Sequence, residues 1–168
     1  MTFVGNRIYR HKVIRINHTT YDGRRNQDSL NPRTHADFMV LAHEDDTDDT
    51  SNVHPYWYGR IIGIFHASVK HTGPASQTSD SQQVNFLWVR WFGRDLTYRS
   101  GFKAKRLPRI GFIDSSDAFG FVDPREVIRG VHLIPAFAYG KTNDLLSPSI
   151  ARNPREKDLD WIYYYVNM

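Results

Sequence analysis

The chain has no cysteine among its 168 residues. This absence excludes a disulfide framework, a zinc site built from thiolates and a cysteine nucleophile. A metal site would have to use histidine and carboxylate ligands. We expect the protein to have no cofactor. No stretch approaches the roughly 18 to 20 apolar residues of a membrane span, and the N-terminal sequence MTFVGNRIYRHKVIRIN has no signal-peptide core. The sequence therefore predicts an intracellular protein without a membrane partner.

Aromatic residues are plentiful, and positive charge is concentrated in one part of the chain. Ten Phe, nine Tyr and four Trp make up 14% of the residues, and the formal net charge is +4. Residues 84–110 carry seven basic side chains against one acidic side chain, whereas residues 44–49 carry five acidic side chains and no basic one. A segment that is both basic and aromatic predicts a surface that binds an acidic partner.

The hydrophobic pattern predicts a mainly β fold. Residues 56–70 and 84–94 are rich in β-branched and aromatic side chains, which predicts two antiparallel strands. The second run is apolar on both faces, as is typical of a central barrel strand. Shorter strands are predicted at 3–16, 36–43, 109–114, 118–122, 131–137 and 160–168. One helical turn is predicted at 123–127. Polar loops are predicted at 17–32, 43–52 and 71–83.

The block over residues 54–168 resembles a family of uncharacterised basidiomycete fungal proteins linked to mobile elements. The resemblance is most specific at Val89-Arg90-Trp91-Phe92, at residues 127–137 and at residues 163–168. In that family the block lies near the C-terminus of a longer polypeptide. The resemblance therefore implies that the chain is a fragment, with the remainder of that polypeptide as a partner.

A second resemblance concerns the order of three motifs. Three motifs, in this order, resemble those of bromo-adjacent homology (BAH) domains: residues 58–62 (YGRII), 89–92 (VRWF) and 128–130 (IRG). BAH domains are β-rich chromatin modules built around an SH3-like barrel. The chain departs from those domains at residues 93–97 (GRDLT), where an acidic turn often stands. This resemblance implies a chromatin partner and a nuclear location.

Together these features predict a small, strongly bent β-barrel of the SH3-like or BAH-like type, with long loops and one or two short helices. Four glycines at strand positions or ends permit such bending: Gly59, Gly63, Gly93 and Gly111. We expect one domain over residues 1–168, the usual size of a single domain. It divides into an N-terminal extension at 1–53, a barrel core at 54–137 and a C-terminal segment at 138–168.

The basic segment supplies the first candidate site. Its basic side chains alternate with aromatic and apolar residues around a turn that begins at Ser100. Such side chains predict contacts with the phosphates of DNA or RNA, and the competing interpretation is a solvated basic loop. The candidate nucleic-acid-binding residues are Arg94, Arg99, Lys103, Lys105 and Arg106.

Four aromatic residues form a second candidate, an aromatic pocket made by Tyr56, Trp57, Tyr58 and Trp91. Ring faces attract a desolvated quaternary cation, such as a methylated lysine of a histone tail. They also stack on unpaired bases. The competing interpretation places these rings in the core.

From these features we expect a non-enzymatic recognition module that binds nucleic acid or chromatin. One alternative is a metal-dependent nuclease or transposition enzyme, because His43, Glu44, Asp45 and Asp46 offer ligands for Mg²⁺, with His66 as a further ligand. Another alternative is a structural appendage of a larger mobile-element protein, whose aromatic C-terminus packs on the rest of that protein.

Overall fold

The structure of the chain is a computed structural model that describes residues 2–42, 54–71, 80–101 and 104–167. Over these residues the chain forms β-strands joined by turns, and each helical segment is a 3-10 turn of three residues. The predicted mainly β fold is therefore confirmed. None of the helices in these ranges has the length and apolar content needed to cross a membrane.

The described ranges contain fourteen strands. In chain order they are β1 Thr2–Phe3, β2 Tyr9–His11, β3 Ile14–Thr19, β4 Arg25–Leu30, β5 Asp37–Leu41, β6 Tyr56–Lys70, β7 Gln82–Arg94, β8 Arg109–Phe112, β9 Phe119–Val122, β10 Val127–Gly130, β11 His132–Pro135, β12 Lys141–Thr142, β13 Asp160–Trp161 and β14 Tyr164–Asn167.

The long antiparallel pair β6 and β7 is the centre of the fold, as the sequence predicts. Their β-branched and aromatic side chains suit an extended backbone covered by neighbours. A register shift between Ile61 and Gly63 places one extra residue in β6, which is a β-bulge and bends the pair.

Short strands complete both outer edges of this pair. Along β6, the successive partners are β5, β2 and β1. Along β7, β8 pairs with the last three residues and β9 pairs with the middle of the strand. The predicted strands at 36–43, 109–114 and 118–122 are thereby confirmed. The predicted helical turn is the 3-10 turn Pro124–Glu126, which Asp123 caps.

The main sheet follows the order β10-β5-β6-β7-β8-β14-β11. Its two end strands are neighbours along the chain: β10 pairs with β5, and β11 pairs with β14. One continuous segment, residues 127–135, therefore carries both ends of the sheet. The end strands do not pair with each other, so the hydrogen-bonded sheet is not closed and the barrel stays a prediction.

The N-terminal region differs from its prediction. Residues 3–16 form parts of three strands, and a 3-10 turn with positive φ at Gly5 and Asn6 separates the first two. The polar loop predicted at 17–32 is wrong, since β3 and β4 form a hairpin around a turn that contains Gly23. The hairpin buries Ile16 and Leu30 but exposes polar side chains elsewhere, so its hydrophobic signal is weak.

Hydrophobic clusters cover both faces of β7. On one face Leu87 and Val89 join a cluster that includes Ile16 and Leu30 of the hairpin. On the other face Phe92 joins a cluster with residues of β8, β11 and β14. The aromatic C-terminal strand is thus docked into the main sheet.

Candidate nucleic-acid interface

The connection between β7 and β8 forms a tight turn. The backbone N–H of Gly101 donates to the carbonyl oxygen of Arg106 at 2.8 Å, and the N–H of Ala104 donates to the carbonyl of Gly101 at 3.1 Å. Gly101 and Lys105 adopt positive φ angles of 101° and 49°. The described residues 99–101 and 104–106 are called the basic turn below.

The basic turn presents three of the five predicted basic side chains to solvent. Arg99, Lys105 and Arg106 are exposed, whereas Arg94 is half-buried at the end of β7. Lys103 lies outside the described residues. The structure therefore brings Arg99, Lys105 and Arg106 together on one exposed turn.

Arg109, at the start of β8, has a different environment from the basic turn before it. Its side chain is 9% exposed, and its Nε and Nη2 atoms donate to Asp95 Oδ2 at 2.8 and 2.5 Å. Burial acts to raise the pKa of the Asp95 carboxyl, but hydrogen bonds from Thr97 and Arg109 outweigh burial and hold that pKa below its ordinary value of 3.8. Asp95 is the only acidic residue between positions 95 and 108. Asp95 is paired with Arg109, and among the described residues no ion pair joins it to Arg99, Lys105 or Arg106.

Tyrosines surround the Arg109 guanidinium, whose carbon lies 4.2 Å from the ring centre of Tyr98, 4.7 Å from that of Tyr139 and 4.6 Å from that of Tyr163. The ring of Tyr165 lies 6.0 Å from that of Tyr98. These four residues are called the tyrosine cluster below. Its centre is filled by Arg109, while Tyr139 is 44% exposed.

The tyrosine cluster is not evident from the sequence because its members come from three distant segments. Tyr98 follows β7, Tyr139 follows β11, and Tyr163 and Tyr165 lie in or next to β14. They meet because β14 pairs with β8, with Tyr165 opposite Arg109. The aromatic run at residues 163–165 was the available signal, but it does not reveal its partner strand.

The predicted aromatic pocket is divided between the two faces of the sheet. Trp57 and Trp91 lie on one face, with ring centres 6.1 Å apart. Tyr56 and Tyr58 lie on the other face, where both rings contact His54. Successive residues of a strand point to opposite faces, so the three adjacent rings at 56–58 cannot converge. The four predicted residues therefore do not line one pocket.

Tyr58 belongs to the core in this arrangement. Its side chain is only 2% exposed, and it packs in the same cluster as Phe92. Burial is the main cause that raises its pKa to about 12. Burial also lowers the pKa of His54, and the positive charge of Arg94 lowers it further. Trp57 is more accessible, at 39% exposed.

Arg90, another member of the basic segment, forms a buried ion pair. Its Nη1 and Nη2 atoms donate to the two carboxylate oxygens of Asp160, each at 3.0 Å. Arg152 also lies 3.1 Å from Asp160, and the guanidinium of Arg90 lies 3.7 Å from the ring centre of Phe112. These contacts fasten the C-terminal segment to the sheet. They remove Arg90 from any surface that binds a ligand.

An open cleft of about 490 Å³ lies at the end of β7. Arg94, Leu96, Asp144 and Tyr163 are among its lining residues. The cleft thus reaches from the end of β7 to the tyrosine cluster, and its lining combines polar and apolar groups. Such a lining can accept a flat, polar group such as a base or a sugar.

The predicted metal site at His43, Glu44, Asp45 and Asp46 lies outside the described residues. Within the described ranges, no group of three or more histidine, aspartate and glutamate side chains is placed to hold a metal ion. The ring of His66 faces His11 across the strand pair β2 and β6, with His11 Nε2 2.6 Å from His66 Nδ1.

Comparison of the chain with protein-family models, curated proteins and solved structures gave no match.

Proposed function

We propose that the chain is a non-catalytic module that binds nucleic acid through the phosphates that contact its basic turn. The observation that supports this most directly is the exposure of Arg99, Lys105 and Arg106 on one tight turn. Asp95, the acidic residue of the same connection, is hydrogen-bonded to Arg109 instead. The positive charge of the turn is therefore available to an outside anion.

The tyrosine cluster supports the proposal by holding the turn in place. Arg109 at the foot of the turn is fixed by Asp95 and by three rings, and Arg106 lies 5.8 Å from the ring centre of Tyr98. A turn that is ordered before binding loses less conformational entropy when it binds. Lys105 supplies a point charge, whereas Arg99 and Arg106 can form two parallel hydrogen bonds to one phosphate.

The proposal favours nucleic acid over a methylated histone tail. A quaternary ammonium group needs an open aromatic cage. The cage-like cluster beside the basic turn is occupied by Arg109, and the aromatic residues predicted as a pocket are divided between two faces. The SH3-like or BAH-like barrel, the mobile-element setting and the nuclear location remain further parts of this proposal.

The test is a charge reversal of the basic turn. The variant Arg99→Glu/Lys105→Glu/Arg106→Glu should bind labelled duplex DNA, single-stranded DNA and RNA at least about tenfold more weakly than the wild type, because three phosphate contacts become repulsive. Fluorescence anisotropy at one fixed salt concentration measures the affinities.

A matched control reverses three exposed arginines elsewhere, Arg33, Arg125 and Arg155. Both variants change the net charge of the chain by the same amount, so they separate a local contact from overall attraction. Equal losses of affinity in the two variants, or no binding by the wild type at low salt, would overturn the proposal.

A further inference from the structure

The β3–β4 hairpin is a two-stranded ribbon with two different faces. Its strands pair only with each other within the described sheets. One face packs towards β10 and contributes Ile16 and Leu30 to the core. The opposite face consists of exposed, uncharged polar or basic side chains, in the cross-strand pairs Arg15 with Ser29, Asn17 with Gln27, and Thr19 with Arg25. These six residues are called the polar ribbon face below.

The polar ribbon face carries side chains of the types that read base edges in protein–DNA complexes. Arg donates two hydrogen bonds to guanine, and Asn or Gln both donates to and accepts from adenine. Gln27 Nε2 donates to Asn17 Oδ1 at 2.7 Å. That bond does not use the amide N–H groups of Asn17 or the carbonyl oxygen of Gln27. A donor and an acceptor therefore stand side by side, as adenine requires.

The charge of the hairpin suits DNA as the occupant. The hairpin has two acidic residues, Asp22 and Asp28. Asp22, in the turn, lies 3.1 Å from Arg24. Asp28 is on the inner face and accepts a hydrogen bond from the backbone N–H of Gly130 at 2.8 Å. The polar ribbon face is therefore positively charged without an opposing carboxylate, and Asp28 ties it to β10.

The two-stranded form of the hairpin also suits duplex DNA. A two-stranded ribbon fits the major groove of B-form DNA, which is about 12 Å wide. The major groove of an RNA duplex is too deep and narrow for such a ribbon. A protein partner would need apolar anchors at the centre of the contact, and none of the six residues is a large apolar one.

We infer that the polar ribbon face lies in the major groove of duplex DNA and reads base edges with Asn17, Gln27, Arg15 and Arg25. The inference rests on the proposed function in one respect, because it names duplex DNA as the nucleic acid. It uses a different surface, however. The basic turn supplies affinity through phosphates, and the ribbon supplies sequence preference.

The experiment begins with selection of preferred duplexes from a random pool by the wild-type chain. Affinities for a selected duplex and for a scrambled duplex are then compared in the wild type and in Asn17→Ala/Gln27→Ala. Since a bidentate amide contact discriminates between bases by about 5- to 150-fold, the variant should lose at least about fivefold of the preference. Both proteins should bind the scrambled duplex equally, because the change removes no charge.

The control variant Gln82→Ala/Asn143→Ala removes two exposed amides outside the hairpin and should keep the preference. Thermal unfolding checks that the ribbon variant is folded. Any one of three results would overturn the inference. The selection could yield no preferred sequence, the ribbon variant could keep the full preference, or the wild type could bind RNA more tightly than duplex DNA. Binding to duplex DNA without sequence preference overturns the ribbon alone, whereas an ineffective charge reversal at residues 99, 105 and 106 overturns the basic turn alone.

Discussion

At the scale of residues, the arginines of the basic segment divide into two groups that composition cannot distinguish. Arg90 and Arg109 are buried, and each forms a two-point contact with a carboxylate. Arg99 and Arg106 are exposed. The difference follows from position, since Arg90 and Arg109 lie within strands of the main sheet and the other two lie in the connection between them. A count of the basic residues in this segment therefore overstates the positive charge that it exposes to solvent.

The buried pair of Arg90 and Asp160 predicts a large effect on stability. Asp160→Asn keeps the size of the side chain but leaves the buried Arg90 without its counter-charge, and it leaves Arg152 with only the exposed carboxylate of Asp158, 3.9 Å away. Breaking a buried ion pair costs about 3–5 kcal/mol, so the free energy of unfolding, measured with urea, should fall by that amount.

Asp123→Asn is the matched control for this measurement. Asp123 pairs with Arg125, whose side chain is 90% exposed, and an asparagine can still cap the following turn. An exposed pair contributes about 0–1 kcal/mol. Similar losses of stability in the two variants would show that the Arg90 pair is not the buried anchor described above.

At the scale of elements, the pairing of β7 with β8 places two glycines opposite each other, Gly93 and Gly111. A Cβ atom on Gly111 would lie 2.7 Å from the carbonyl oxygen of Ile162, whereas one on Gly93 would lie 3.4 Å from the side chain of Ile113. The first contact is with backbone and cannot relax easily. Gly111 therefore allows the chain before β14, which carries Tyr163, to approach β8 closely.

This difference predicts opposite effects of the same substitution. Gly111→Ala should lower the free energy of unfolding by about 1–3 kcal/mol through overpacking. Gly93→Ala should leave it unchanged or raise it by up to about 1 kcal/mol, because alanine restricts the unfolded chain. Urea denaturation of both variants measures the effects, and a larger loss for Gly93→Ala would contradict the account.

Strands with a strong hydrophobic pattern were predictable from the sequence. Polar strands, and clusters assembled from distant segments, were not. β6 and β7 were found because their apolar residues occupy both faces of a long run. The β3–β4 hairpin was missed because its exposed residues are mostly polar and only Ile16 and Leu30 of its two strands are buried. The tyrosine cluster was missed because it depends on the pairing of β14 with β8, which joins residues more than fifty positions apart.

At the scale of the whole molecule, the net charge of +4 describes neither of the surfaces proposed to bind DNA. The basic turn has three exposed cations, and the polar ribbon face has two arginines. Buried pairs neutralise Arg90 and Arg109, and they fasten the C-terminal segment and the β7–β8 connection to the sheet. The arginines that hold the fold together are therefore distinct from those that we propose contact DNA.

The salt dependence of binding tests the central claim most directly. The affinity of the wild type for duplex DNA should fall linearly with salt on a log–log plot, because each phosphate contact releases counterions. In Arg99→Gln/Lys105→Gln/Arg106→Gln the slope should be smaller in magnitude by about 3, close to one for each positive charge removed. Equal slopes for the two proteins would contradict the claim that the basic turn contacts phosphates.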